Sequence, residues 1–362
     1  MKISCWMSSN GLMIRLTKNS QRAAQLLFLV VLSVVLIACD DAKDDYFVLT
    51  GQTMGTSYHI TVVKSGNVAS AQNELQQAID QQLSVLNQQM STYIDDSELT
   101  LLNRALVNEW VPVSSNLFDV LVLSMELGWI SGGAFDITVG PLVNLWGFGP
   151  GNNTLNNTIP ADNIIQQLLD NTGFSNIELN LENTSVRKNK AVAIDLSGVA
   201  KGYAVDKIAE LLQYAGYSRF MVEIGGEVRL KGHSPRRGPW RIAIEQPDAT
   251  SFGSPRQAIS ITDGALATSG DYRSFFDVDG KRYSHTIDPS TGYPIDHSLA
   301  SVTVIADTSA YADALATALT VMGPEKGLQM ATEQGIAVYM IIKTGDGFVD
   351  KYSDAFGSYL DL

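Results

Sequence analysis

Cysteine is almost absent from this chain: Cys5 and Cys39 are the only two, and both stand within the first 39 residues. Everything downstream therefore folds without an internal disulfide, and without a thiol nucleophile or a cysteine-held metal. Histidine is nearly as scarce, with His59, His233, His285 and His297 as the four imidazoles, so few side chains titrate near neutrality. Long apolar runs are missing too. The stretch from Leu26 to Ala38 covers 13 residues, short of the ~20 that a membrane-spanning helix needs. It follows Lys2, Arg15, Lys18 and Arg22 with no acid among them, which is the layout of a secretory signal. No Gly-x-Gly-x-x-Gly follows a strand pattern, which argues against a dinucleotide-binding doubly wound sheet. No period of roughly 20–50 residues recurs, which argues against a solenoid or propeller.

Positive charge is also in short supply. The 25 Lys and Arg face 38 Asp and Glu; four of the bases lie in the leader, so the remainder carries 21 against 38, a formal net charge of −17. Such a surface disfavours nucleic acid and non-specific binding to anionic lipid. With 45% hydrophobic residues over 362 positions, the chain has ample material for a core, and global disorder is excluded.

The leader ends Leu36-Ile37-Ala38-Cys39, and a small residue directly before a cysteine resembles the lipobox of bacterial lipoproteins. Cys39 is then the lipid-bearing mature N-terminus, and Asp40 and Asp41 resemble the signal that retains lipoproteins in the inner membrane. The expected organisation is a signal peptide over 1–38, a lipid-anchored tether over 39–47 and a folded domain over 48–362, on the periplasmic side of the cell inner membrane.

Within the folded part, alternation from Tyr46 to Val63 predicts strand. Leu75, Ile79, Leu83, Leu86 and Met90 then form a helical stripe. A second helix is expected from Ser114 to Ile130, capped by a serine and stopped by Gly132-Gly133. After a Gly/Asn-rich loop, 149–160, come a short helix around Ile164–Leu169, strands at Ile177–Arg187 and Ala191–Leu196, and a helix from Val199 to Tyr214. Strands follow at 219–230, 240–245, 257–262 and 275–287, the last a hairpin turning at Asp279-Gly280. A strand at 301–306, a helix from Ser309 to Val321, a helix started by Pro324, and strands at 336–343 and 348–352 complete the reading. The pattern is α+β, with mixed or antiparallel sheet.

The chemistry concentrates near the C-terminus. His285, in Ser284-His285-Thr286-Ile287-Asp288-Pro289, is the one imidazole within a motif, and its reference pKa of about 6.5 suits a general base. Asp313 and Thr317 are four apart and share a helix face with Ala316 beside them; oxygen ligands of that kind suit a hard cation such as Mg²⁺. Taken alone, each piece has a structural alternative. Asp288-Pro289 is good turn chemistry, Asp313 and Thr317 suit a buried helix contact, and Gly225-Gly226 marks a tight backbone approach.

These pieces occur with Met54-Gly55-Thr56-Ser57-Tyr58, Ser131-Gly132-Gly133-Ala134-Phe135-Asp136-Ile137-Thr138, Leu145-Trp146-Gly147-Phe148-Gly149, Asp195-Leu196-Ser197-Gly198-Val199-Ala200-Lys201-Gly202-Tyr203 and Thr268-Ser269-Gly270-Asp271-Tyr272. In that order, from about Tyr46 to Tyr352, the sequence resembles the FAD:protein FMN transferases, the ApbE flavin-transferase lipoproteins. The resemblance implies a two-lobed α+β fold with FAD in the inter-lobe cleft. It implies Mg²⁺-dependent transfer of FMN from FAD to a threonine or serine hydroxyl of a target flavoprotein through a phosphoester, with release of AMP. Site residues carried over are Met54, Tyr93, Ala134, Phe135, Asp136, Asp195, Lys201 and Thr286 for FAD, and Gly198, Asp313, Ala316 and Thr317 for the metal, Gly198 and Ala316 through main-chain oxygen. Acceptors would resemble subunits of sodium-pumping NADH:quinone reductase or Rnf-type complexes. An FAD pyrophosphatase yielding FMN and AMP, and a flavin-binding lipoprotein without turnover, are the competing readings.

Overall fold

The computed structural model describes residues 43–64, 72–150, 158–247, 254–270, 274–345 and 347–360. The leader and Cys39 lie outside the described residues, as do Asp271 and Tyr272 of one motif. Asp44–Leu362 form one compact unit. No helix among the described residues is long and apolar enough to cross a membrane.

Eight strands, β1 (Tyr46–Thr53), β2 (Thr56–Val63), β6 (Phe220–Ile224), β7 (Glu227–Lys231), β10 (Gly264–Gly270), β13 (Leu299–Ala306), β14 (Ala337–Thr344) and β15 (Gly347–Tyr352), pair in that order into one antiparallel sheet. The sheet is covered on both faces, which is why the central β13 buries nearly all its residues instead of alternating. Helices α1 (Gln72–Met90), α3 (Ser115–Ile130), α6 (Ala200–Tyr214) and α7 (Ser309–Gln334) join Ile60, Val302 and Val304 in the main core. On the opposite face, the β8 (Trp240–Glu245) and β9 (Pro255–Ile261) hairpin and Phe356 close a second apolar cluster with Leu230 and Ile341. A small sheet of β3 (Trp110–Pro112), β5 (Ser185–Lys188) and β4 (Ile177–Asn180) completes this body.

Local sequence explains the helices that position the site. The α1 stripe is buried at every expected position. In α3, the Ser114 hydroxyl accepts from Leu117 N, a cap worth about 1 kcal/mol. The two C-terminal helices expected either side of Pro324 abut as one run, α7, broken at Gly323, whose φ of 79° and ψ of 177° are not helical. The start of α7 is pinned from α6: Asp206 accepts from Ser309 N at 2.9 Å and Ala310 N at 2.8 Å, and Arg229 donates to it at 2.7 Å. Gly202 permits this crossing, because a Cβ there would run into the Ser309 carbonyl. The helices α6 and α7 thus touch where Lys201 and Asp313 stand.

Several elements differ from expectation: β3 and a helix at Gly140–Leu145 were not announced by the pattern, and the stretch 219–230 is two strands, β6 and β7, joined at Gly225-Gly226. Val192, Ile194 and Leu196 are buried and alternate as a strand would, yet Ala191–Leu196 pairs with no strand among the described residues. The Asn103 side chain takes both polar groups of Ile194, donating to its carbonyl at 2.8 Å and accepting from its N–H at 2.7 Å. Asn103 belongs to α2 (Glu98–Arg104), which the sequence pattern did not announce. Nor did it announce β10, Gly-Ala-Leu-Ala-Thr-Ser-Gly, which has little intrinsic strand preference and is held by its neighbours β7 and β13.

A satellite cluster carries His285. Helices α4 (Gly140–Leu145) and α5 (Asp162–Leu169) pack with the hairpin β11 (Phe275–Val278) and β12 (Lys281–Ser284), burying Leu142, Trp146, Ile165, Phe276 and Ile287. The hairpin turns at Asp279-Gly280, with φ of 51° and 78°, the two positive values that a tight two-residue turn demands. Trp146 is the hub: its rings stack on Tyr283 at 5.6 Å and Phe276 at 6.5 Å, and its Nε1 donates to the Gly292 carbonyl at 2.8 Å.

The chain enters the fold at a fixed point. Asp44 binds Arg219 Nη1 at 2.7 Å and Arg237 Nε at 2.9 Å, and hydrogen bonds to these two guanidiniums hold its carboxyl below the usual range. A carboxyl whose folded pKa is depressed stabilises above its unfolded pKa of about 4. That contribution is lost as pH falls through the lower, folded value. Asp44→Asn should remove this acid-side loss, seen as urea midpoints between pH 5 and pH 2 that fall less than those of the parent; parallel profiles would show that the clamp contributes nothing.

Candidate active site

A cavity of about 780 Å³ opens between the large sheet and the satellite cluster, within the ~300–1,000 Å³ typical of small-molecule sites. Its walls come from the loop after α3 (Ala134–Asp136), the run Asp195–Lys201, the turn between β6 and β7, strand β10, the segment after β12 with His285 and Thr286, and Asp313 and Thr317 of α7. Segments remote in sequence converge here because β6, β7 and β10 are neighbours in the sheet and α7 crosses α6 over them.

Eleven of the residues singled out in the sequence line this cavity: Tyr93, Ala134, Phe135, Asp136, Asp195, Gly198, Lys201, His285, Thr286, Asp313 and Thr317. Tyr93 stands at the rim, 69% exposed. Two lie outside the lining. Met54 occupies the β1–β2 turn with φ of 48° and packs against the main core. Ala316 is fully buried, and its carbonyl accepts from the Thr320 hydroxyl at 2.8 Å.

The two aspartates are not equivalent. Asp136 is buried and accepts from Thr138 N, the Thr138 hydroxyl and Phe174 N, at 2.8, 2.6 and 2.9 Å. Burial nevertheless raises its carboxyl above the ordinary range, against those three bonds. Its side chain builds the loop that presents Ala134 and Phe135. Asp195 accepts from Ser197 N at 2.8 Å and the Ser197 hydroxyl at 2.5 Å through Oδ1, and so turns the chain toward Gly198 and α6.

His285 Nδ1 lies 3.0 Å from the Ser274 carbonyl. A carbonyl only accepts, so Nδ1 carries the proton, and in the neutral ring Nε2 holds the lone pair. The Phe148 ring meets the imidazole edge-on at 6.2 Å. The tautomer is therefore the one a base acting through Nε2 needs.

Across the cavity wall sits a charged triplet. Lys201 Nζ donates to Glu227 Oε1 at 3.0 Å and lies 3.7 Å from Asp313 Oδ2, which also accepts from Gly202 N at 3.1 Å. Burial pulls the Lys201 ammonium down, but the charges of Asp313 and Glu227 outweigh it and raise its pKa. Glu227 is itself raised, first by burial and then by Asp313, with Lys201 opposing. Its second oxygen, Oε2, is buried without a hydrogen-bond partner among the described residues. Glu227 belongs to none of the motifs; the tight Gly225-Gly226 approach directly before it is its one signal in the sequence.

Among the described residues, no group of three or more His, Cys, Asp or Glu side chains forms a metal cage. Beside α7 the cavity wall offers the Asp313 carboxylate, the Thr317 hydroxyl 3.5 Å from the Ser269 hydroxyl, and the Gly198 main chain packed so closely that a Cβ would lie 3.2 Å from Thr317 Oγ1. A sparse all-oxygen set fits a hard cation that keeps substrate phosphates and water among its ligands. The triplet's formal charge of −1 also leaves room for added positive charge.

The chain is similar along most of its length to known proteins. The ApbE family model matches residues 54–340. The FAD:protein FMN transferase of Haemophilus influenzae is 41% identical over 331 residues, 90% of this chain and 95% of that protein; the one from Vibrio cholerae is 42% identical over 328 residues, 91% and 97%. Among solved structures, the flavin transferase ApbE from Vibrio cholerae superposes with a TM-score of 0.80 at 42% identity, covering 87% of this chain and 99% of that one. The apo form of the Pseudomonas stutzeri flavinyl transferase ApbE gives 0.81 at 36%, covering 88% and 98%. With the family model spanning most of the folded unit and relatives above 40% identity along nearly their whole length, the chain belongs to the ApbE family.

Proposed function

We propose that this chain transfers the FMN moiety of FAD to a threonine or serine hydroxyl of a target flavoprotein, forming a phosphoester and releasing AMP. The observation that carries this reading is the pairing, across one cavity, of an imidazole in the Nδ1–H tautomer with the Lys201, Glu227 and Asp313 triplet. Names of the relatives supply the flavin donor and the protein acceptor.

In this reading FAD occupies the cleft between the sheet-bearing lobe and the satellite lobe, with its pyrophosphate toward Lys201 and α7. His285 Nε2 takes the proton of the acceptor hydroxyl as its oxygen bonds to the FMN phosphorus, and the bond to the AMP oxygen breaks with its electron pair. Lys201 meets phosphate charge, and the Ala134–Phe135 segment with Tyr93 frames flat rings. Asp313, Thr317 and the Gly198 carbonyl would hold Mg²⁺, which when bound neutralises phosphate oxygens. The Ala316 carbonyl, already shared with Thr320, would be the weakest member of that set. The enzyme would be held by lipid on Cys39 to the periplasmic side of the inner membrane, where acceptors resembling subunits of sodium-pumping NADH:quinone reductase or Rnf-type complexes present their hydroxyls.

The test incubates the protein with FAD, Mg²⁺ and a candidate acceptor and looks for a fluorescent flavin band that survives a denaturing gel. AMP without a labelled band would replace transfer by FAD hydrolysis, and neither product would leave a binding protein. Asp313→Asn should lower transfer about a hundredfold, since a cation clamp supplies several kcal/mol of transition-state stabilisation. A Mg²⁺ titration overlaying that of the parent would remove Asp313 from the cation site.

A further inference from the structure

Lys201 is held more tightly than a phosphate-binding lysine on an open wall needs to be. It projects from the first turn of α6 and stays 28% exposed in its side chain, whereas its partners Glu227 and Asp313 are 5% and 4% exposed. Its stem crosses the β6–β7 turn, where a Cβ on Gly225 would lie 3.4 Å from Lys201 Cδ and 2.8 Å from Thr56 Cγ2. The turn is therefore bare glycine where the lysine passes, and the next residue but one is the acid that receives its ammonium.

The two contacts differ in kind. The 3.0 Å contact to Glu227 is a hydrogen bond, while the 3.7 Å approach to Asp313 is an ion pair without one. A lone lysine beside Asp313 would close on that carboxylate, neutralise it and turn away from the cavity. Glu227 prevents this by taking the ammonium's hydrogen bond at 3.0 Å, which leaves Asp313 at 3.7 Å. The Oε2 atom has no donor among the described residues, so Lys201 is the side chain that the Glu227 carboxylate holds.

We propose that Glu227 is a positioning residue for flavin transfer: it holds the Lys201 ammonium at the cavity wall for the FAD pyrophosphate and keeps it from neutralising Asp313. This rests on the reading of Lys201 as a phosphate contact, and it adds a role for a buried acid of the cavity wall that acts through the lysine. The carboxylate acts through Lys201 alone, so its removal costs nothing once the lysine is gone. An acid serving only the stability of the fold would cost the same with or without the lysine.

The experiment is a double-mutant cycle on the whole mature chain, with FAD affinity read by flavin fluorescence and Mn²⁺ affinity read by electron paramagnetic resonance, both without acceptor. Lys201→Met should weaken FAD binding about tenfold, and Glu227→Gln nearly as much, with the double variant no weaker than Lys201→Met alone. Glu227→Gln should also weaken Mn²⁺ binding several-fold, because the lysine then closes on Asp313, and the double variant should restore it. Glu227→Asp, which keeps the charge, should recover part of both losses and guards against a folding artefact. Additive losses in the double variant, or Glu227→Gln binding both ligands as the parent does, would overturn the proposal. An unchanged FAD affinity in Lys201→Met would instead sink the phosphate role of the lysine, while a parent protein that labels no acceptor would sink the transferase reading independently of either.

Discussion

Replacing His285 by alanine is expected to lower FMN transfer by roughly 10² or more while leaving FAD binding close to that of the parent. The asymmetry follows from geometry. His285 is fastened by its Nδ1–H to the Ser274 carbonyl at 3.0 Å, so the ring is oriented by protein and not by substrate. Proton removal from a hydroxyl is needed in the transition state and not in the bound complex, which places the loss in kcat. The same variant should still release AMP slowly if water enters in place of the acceptor. Single-turnover transfer to a purified acceptor, measured beside a fluorescence titration of FAD, separates the two effects. Unaltered turnover would take His285 out of the mechanism, and a matching loss of FAD affinity would make it a binding residue.

The largest expected effect on the fold near the site comes from Trp146→Ala. Trp146 is 2% exposed, stacks on Tyr283 and Phe276, and anchors the Gly292 carbonyl. Removing a buried tryptophan typically costs about 3–5 kcal/mol. The satellite cluster is small, with five fully packed apolar residues at its centre, so a loss of that size should open the cluster before the main sheet. Amide exchange should then rise across residues 274–295 and leave β13 and β14 protected, and transfer should fall although His285 is intact. Parent-like exchange in the hairpin would show that it is held by its own turn, and would refute the view that Trp146 positions the base.

Much of this was legible in the sequence because it is local. The α1 stripe and the Ser114 cap depend on spacing and on one hydroxyl, and the Asp279-Gly280 hairpin depends on two residues that tolerate positive φ. Where non-local partners decide, local pattern misleads. Residues 191–196 alternate like a strand but spend their hydrogen bonds on Asn103 and Ile137, and β10 is a strand only because β7 and β13 flank it.

The site divides the same way. Sequence by itself determined the α+β class and the family resemblance and singled out most of the residues that line the cavity, since motif order and residue type are properties of the chain. Tertiary structure decided how those residues are used. It set Asp136 to building a loop, placed Met54 and Ala316 outside the cavity lining, selected the Nδ1–H tautomer of His285, and brought Glu227 to Lys201. Hydrogen-bond partners and burial are fixed by approach in space, between segments as far apart as Lys201 and Asp313, and no spacing along the chain encodes them.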